Sequence, residues 1–134
     1  MKDGKDAGVQ DLKERTRRFA LRVLKLYGAL PKTVEAQVLG KQLLRSGTSV
    51  GAHYREAVRA RSTRELISKF EGALQELEET AYWLELLEQG GVFDDPRVRW
   101  LTKEADELTA ILVTCVLKAK PTNPRRGPPE PQES

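Results

Sequence analysis

Apolar residues near the N-terminus recur at the spacing of an α-helix. Most are three, four or seven positions apart, which places them on one face of a helix. This face comprises Leu12, Phe19, Val23, Leu24, Tyr27 and Leu30. Pro31 ends the helix, because proline has no amide hydrogen for the interior hydrogen bonds. The polar residues 1–10, which include Gly4 and Gly8, predict a flexible N-terminus.

A second helical pattern follows and continues to about Arg61. Thr33 is placed to cap it, with Glu35 in the first turn, where a negative charge suits the helix dipole. Its apolar face comprises Val34, Val38, Leu39, Leu43, Val50, Tyr54 and Val58. Small residues interrupt the pattern over Ser46–Ala52. A loop there would give two short helices, whereas a single helix would let a neighbour approach closely. We favour the single helix, because the apolar face keeps its phase and no proline intervenes.

The third helical pattern lies between a polar start and a pair of glycines. Ser62 or Thr63 is placed to cap it, and Gly90 and Gly91 end it as in a left-handed C-cap. Its core face comprises Leu66, Phe70, Ala73, Leu74, Leu77, Ala81 and Leu84.

The fourth helical pattern begins at Asp94 or Asp95 as the cap, with Pro96 in the first turn. Its core face comprises Val98, Leu101, Ala105, Leu108, Leu112, Cys115 and Ala119. Residues 121–134 contain five prolines and no large apolar side chain, so they predict a disordered tail.

Short connections between four helices place sequential neighbours antiparallel. The pattern therefore predicts an all-α protein whose residues 11–120 form an up-down-up-down four-helix bundle. A length of 134 residues fits one domain. The longest apolar runs are far below the roughly 20 residues of a membrane span, and the polar N-terminus does not resemble a signal peptide. With a single cysteine as well, we expect a cytoplasmic protein with no membrane association.

Charge is distributed unevenly along the chain. Residues 12–64 hold thirteen Lys or Arg and three Glu, a formal net charge of +10. Residues 65–95 hold one Lys and nine Asp or Glu, a formal net charge of −8. The overall charge of +3 conceals this separation.

Three interpretations of the charge separation stay open. Helices one and two could present a cationic surface to the phosphate backbone of RNA or DNA. The basic and acidic helices could instead neutralise one another within one bundle. The basic face of one subunit could also meet the acidic face of the next, closing a ring. For the first interpretation, the candidate nucleic-acid contacts are Arg15, Arg18, Arg22, Arg45, Arg55, Arg59 and Arg61.

No set of residues in the sequence predicts catalysis, a metal site or a cofactor site. His53 is the only histidine, and no positioned serine and carboxylate accompany it. Cys115 lies on a core face, where a thiol behaves as a small hydrophobe. Tyr82, Trp83 and Leu86 make the third helix apolar beyond one core stripe, so we assign them to an oligomer or partner interface.

Two segments resemble a known family. The first is Leu43–Ala57, LLRSGTSVGAHYREA, and the second is Lys69–Leu84, KFEGALQELEETAYWL. They are similar to the motifs of the bacterial four helix bundle proteins, also called the 23S ribosomal RNA intervening-sequence protein family. The resemblance covers about residues 19–118. In place of His53, that family usually carries Asn.

The resemblance implies a four-helix bundle that forms homo-oligomers, typically pentameric rings. A more distant similarity is to the accessory protein of diversity-generating retroelements, a basic pentamer thought to bind nucleic acid and a reverse transcriptase. Neither group has an enzyme activity attached to it. From the sequence we therefore expect a non-enzymatic oligomeric bundle that binds RNA or DNA through the basic face of helices one and two. The alternative is a protein–protein scaffold whose charge separation serves ring-type self-assembly.

Overall fold

The computed structural model describes the backbone of residues 4–121 and the side chains of residues 11–121. Four α-helices account for the regular secondary structure of the described chain: α1 spans Gly4–Ala29, α2 Val34–Val58, α3 Thr63–Gln89 and α4 Pro96–Ala119. Consecutive helices pack side by side, and α1 and α4 close the bundle with a less extensive contact. The predicted all-α four-helix bundle is confirmed. None of these helices is long and apolar enough to cross a membrane.

α1 begins at Gly4, ahead of the start near residue 11 that the sequence pattern predicts. Gly4 and Gly8 are weak helix formers, so the sequence pattern places the helix start too late. The flexibility expected for residues 1–10 stays a prediction. Beyond Pro121, the predicted disordered tail lies outside the described residues.

Local capping chemistry sets three of the helix starts. The hydroxyl of Thr33 accepts a hydrogen bond from the amide of Ala36 at 3.3 Å, and the hydroxyl of Ser62 accepts one from the amide of Glu65 at 3.0 Å. Asp95 caps α4 through the amide of Arg97 at 2.8 Å. Each side chain satisfies an amide that has no partner within its own helix. The sequence prediction is confirmed at all three starts.

α2 is continuous through the segment of small residues, which confirms the single-helix interpretation. Two of its glycines face α1 so closely that no side chain fits. A Cβ atom added to Gly47 would lie 2.8 Å from Val23 Cγ2, and one added to Gly40 would lie 2.5 Å from Leu30 Cδ1. On the α3 side, the hydroxyl of Thr80 donates a hydrogen bond to Ser46 Oγ at 2.8 Å. The small residues therefore set the spacing of α2 from both neighbours.

Most predicted core residues are buried or half-buried, but four are exposed. Leu24, Val34, Val38 and Val58 are exposed by about half or more, at 48%, 77%, 56% and 49%. The helical phase explains this correction, because residues that follow each other along a helix point about 100° apart. The core-facing positions that the sequence prediction missed are the apolar residues Leu26, Ala36, Ala57, Leu87 and Val116 and the polar residues Thr16, Ser46, Thr80 and Glu104.

Candidate functional site

Arg15 forms ion pairs that join α1 to α4. Its guanidinium donates from Nε to Glu104 Oε2 at 3.0 Å and from Nη2 to Glu104 Oε1 at 2.8 Å. A further bond from Nη2 reaches Glu107 Oε1 at 3.1 Å. The hydrogen bond to Glu104 is the main cause of a raised pKa for Arg15. The prediction that Arg15 contacts nucleic acid therefore has little geometric support.

Arg22 and Arg45 also make contacts within the bundle. The guanidinium of Arg22 lies 4.4 Å above the centre of the Trp100 ring, which is a cation–π contact between α1 and α4. Arg45 of α2 pairs with Glu76 of α3 at 3.3 Å and also with Glu79. The Arg45 pairs support the interpretation that part of the charge separation is neutralised inside one bundle.

The other four predicted arginines are exposed and form no ion pair with a described residue. Arg18 lies on the outer surface of α1, well before the end of that helix. Arg55, Arg59 and Arg61 follow one another over the last turn of α2 and the connection to α3. Arg64, in the first turn of α3, is exposed in the same way and was not among the predicted contacts.

Lys13 of α1 is exposed at the same end of the bundle as Arg55, Arg59 and Arg61. A Cβ atom added to Gly51 of α2 would lie 3.2 Å from Thr16 Oγ1, so the two helices meet there. Because α1 and α2 run antiparallel, one turn further in the same direction leads to Lys13 on α1 and to Arg55 on α2. We call the exposed group at this end of the bundle the basic corner; its members are Lys13, Arg55, Arg59, Arg61 and Arg64.

Two acidic residues beside the basic corner already have partners. Lys69 Nζ lies 3.0 Å from Glu56 Oε1, and this hydrogen bond is the main cause of a lowered pKa for Glu56. Glu65 Oε1 accepts a hydrogen bond from the amide of Arg61 at 3.0 Å. The described contacts of these two carboxylates are therefore made with groups other than the guanidinium groups of the basic corner.

The predicted interface residues on α3 form an apolar surface at the opposite end of the bundle. Tyr82 is 51% exposed, and its ring lies 5.1 Å from the ring of half-buried Trp83. Trp83 Nε1 is buried and has no hydrogen-bond partner among the described residues. Half-buried Leu86 is one turn away from both rings. We call Tyr82, Trp83 and Leu86 the aromatic patch.

His53 lies between α2 and α3, where its ring packs against Gly72. A Cβ atom at Gly72 would come within 2.8 Å of His53 Nδ1, which is buried without a partner among the described residues. His53 Nε2 is 3.7 Å from Glu76 Oε2, the carboxylate that also pairs with Arg45. His53 therefore belongs to the contact between two helices.

Within the described chain, no group of three or more His, Cys, Asp or Glu is placed to hold a metal ion. Burial raises the pKa of the half-buried Cys115 thiol, as for a cysteine that packs rather than reacts. Burial also raises the pKa of Tyr54 to about 12.

Comparison with known proteins connects this geometry to a family. One similar solved structure is described as a protein with unknown function from the S23 ribosomal protein family of Bacteroides thetaiotaomicron VPI-5482. It shares 35% identity and a TM-score of 0.75, and the match covers 81% of this chain and 97% of that one. A search of the curated proteins finds no match. The sequence profile of the 23S rRNA-intervening sequence protein family matches residues 10–114. Since this match spans most of the bundle, the chain belongs to the 23S rRNA-intervening sequence protein family.

Proposed function

We propose that this protein is a non-enzymatic, cytoplasmic four-helix bundle that binds the phosphate backbone of RNA or DNA through the basic corner. The observation that carries the proposal is the set of five exposed cations at one end of the bundle, none of them paired with a described acidic side chain. No enzyme family is indicated by the relatives.

The basic corner suits a polyanion better than a single small anion. Its five cations come from three helices and the α2–α3 connection, and their side chains are long and exposed. Such a surface supplies the sequence-independent part of nucleic-acid binding, because bound cations release counterions from the phosphates. Arginine also donates two parallel hydrogen bonds to a phosphate group.

The test compares two triple variants in a salt series. The first is Arg55→Gln, Arg59→Gln and Arg61→Gln in the basic corner. The second is Arg97→Gln, Arg99→Gln and Lys103→Gln at the opposite end, which removes the same net charge. Fluorescence anisotropy with a labelled single-stranded RNA and a labelled DNA duplex measures affinity. The slope of log affinity against log salt falls by about 2 to 3 in the first variant, at roughly 0.7–0.9 per phosphate contact, and changes little in the second.

If the slope fell equally in the two triple variants, binding would depend only on net charge. The basic corner would then have no special role. Absence of binding at low salt by the unsubstituted chain would remove the nucleic-acid proposal altogether.

A second function is supported by the aromatic patch. We propose that, if nucleic acid is not the ligand, the protein is a self-assembling scaffold in which the patch packs against a neighbouring subunit. Val34 and Val38, at the same end of the bundle, add exposed apolar surface on α2. The family resemblance described above implies homo-oligomers, typically pentameric rings.

Sedimentation velocity tests the scaffold. The unsubstituted chain is expected to sediment as an oligomer, and Tyr82→Ser combined with Leu86→Ser to shift it toward the monomer. A matched control replaces two exposed apolar residues of α4, Val113→Ser and Leu117→Ser, and leaves the assembly intact. An unsubstituted chain that is monomeric at every salt concentration contradicts this proposal.

A further inference from the structure

A cavity of about 1010 Å³ lies at the end of the bundle that carries the basic corner. Its lining draws on α1, the end of α2, the α2–α3 connection, the start of α3 and the end of α4. The volume is at the top of the ~300–1,000 Å³ range of small-molecule sites. It therefore has room for a ligand much larger than a water molecule.

The inner wall of this cavity is apolar. It includes Leu12, Leu66, Phe70, Ile111 and Cys115, which come from three helices. Leu12 and Phe70 are almost fully buried, so this wall is continuous with the hydrophobic core. A ligand that fits this wall must offer a hydrocarbon surface, because a polar group there would lose its hydrogen bonds to water.

The rim of the cavity is charged and predominantly cationic. Arg61 and Lys118 are exposed and form no ion pair with a described residue, and Asp11 is the acidic member of the rim. A ligand with an anionic head and an apolar chain therefore matches both parts of the site. The terminal residues 122–134 suit it poorly, because they contain no large apolar side chain.

We propose that this cavity binds a long-chain carboxylate, with the hydrocarbon chain against the Leu12, Phe70 and Cys115 wall and the carboxylate beside Arg61 and Lys118. This site is independent of the proposed nucleic-acid function, although Arg61 belongs to both surfaces. Lys118 lines the cavity only, so substitutions there separate the two proposals.

Cys115 provides a position-specific reporter, because it is the only cysteine in the chain. The full-length protein is titrated with dodecanoate and, separately, with dodecanol below their aggregation concentrations. Titration calorimetry gives the affinity, and the rate of Cys115 labelling by a thiol reagent gives the location. Dodecanoate is expected to bind more tightly than dodecanol and to slow the labelling as the site fills.

Charge variants test the rim. Lys118→Gln is expected to weaken the binding of dodecanoate about two- to fivefold, the range for one solvent-exposed ion pair. The affinity for dodecanol is expected to stay unchanged. Asp11→Asn is expected to strengthen dodecanoate binding by a similar factor, because Asp11 is the acidic group among the described rim residues. These opposite signs would not arise from general loss of stability.

A volume variant tests the wall. Leu66→Trp places a bulky ring against the apolar wall and is expected to weaken dodecanoate binding, whereas Ile67→Trp, on the adjacent residue that does not line the cavity, leaves dodecanoate binding unchanged. Circular dichroism confirms that each variant is folded. The proposal is overturned if dodecanoate releases no heat and leaves Cys115 labelling unchanged, as it would if the chain's own terminal residues occupied the cavity. It is also overturned if dodecanol binds as tightly as dodecanoate.

Discussion

Arg15 and Glu104 form an ion pair of low solvent exposure, with side chains 19% and 11% exposed. Glu104 occupies an inward position of α4 that would otherwise suit an apolar residue. Two parallel hydrogen bonds from one guanidinium satisfy both carboxylate oxygens, so the buried charge is fully paired. Because one partner is on α1 and the other on α4, the pair joins the two helices that have the least extensive contact.

Arg15→Met leaves the Glu104 carboxylate without its main partner. We expect it to lower the free energy of unfolding by about 1–3 kcal/mol, the cost of an unsatisfied buried polar group. Urea denaturation measures this change. The control is Arg17→Met, whose exposed pair with Glu14 is expected to contribute no more than about 0.5 kcal/mol. Similar small losses in both variants would contradict a structural role for Arg15.

The raised pKa of Tyr54 predicts that the free energy of unfolding depends on pH under alkaline conditions. Its pKa is raised to about 12, above the ordinary value near 10, so the unfolded chain ionises this phenol first. Its contribution to stability is complete below about pH 10 and is lost as the pH rises toward 12. Tyr54→Phe is therefore expected to reduce the fall in unfolding free energy over that interval. An equally steep fall in both proteins would show that other groups cause it.

At the scale of helices, local signals and tertiary contacts differ in how well the sequence predicts them. Thr33, Ser62 and Asp95 are recognisable as caps because each side chain acts on an amide two or three residues away. The partners of Arg15 and Arg45 are not recognisable, because a pairing across about thirty or ninety positions depends on the register between helices. The same register decides that Leu24 and Val38 face outward. The sequence thus predicts the bundle correctly. It overestimates the number of arginines that have no partner inside the bundle.

Two glycine substitutions are expected to change stability in opposite directions, because only one of the glycines is closely packed. Gly47→Ala places a methyl group 2.8 Å from Val23 Cγ2, and we expect a loss of about 1–3 kcal/mol from overpacking. Gly28→Ala meets nothing within 4 Å and is expected to stabilise by roughly 0.5 kcal/mol through helix propensity. Thermal unfolding measures both. Adding Val23→Ala to Gly47→Ala relieves the clash, so partial recovery is expected; no loss in Gly47→Ala would contradict the packing.

At the scale of the whole molecule, the charge separation is only partly used inside the bundle. The pairs of Arg45 with Glu76 and Glu79 join the basic α2 to the acidic α3. The basic corner remains unpaired at one end, and the aromatic patch is exposed at the other. Two separate surfaces of different chemistry allow one subunit to contact a polyanion and a neighbouring subunit at the same time.

The basic corner is proposed to bind nucleic acid. The most direct test is the salt dependence of RNA affinity for the unsubstituted chain and for the Arg55→Gln, Arg59→Gln and Arg61→Gln variant. We expect a steep loss of affinity with salt in the unsubstituted chain and a slope shallower by about 2 to 3 in the variant, at roughly 0.7–0.9 per phosphate contact. An unchanged slope in the variant would contradict the claim.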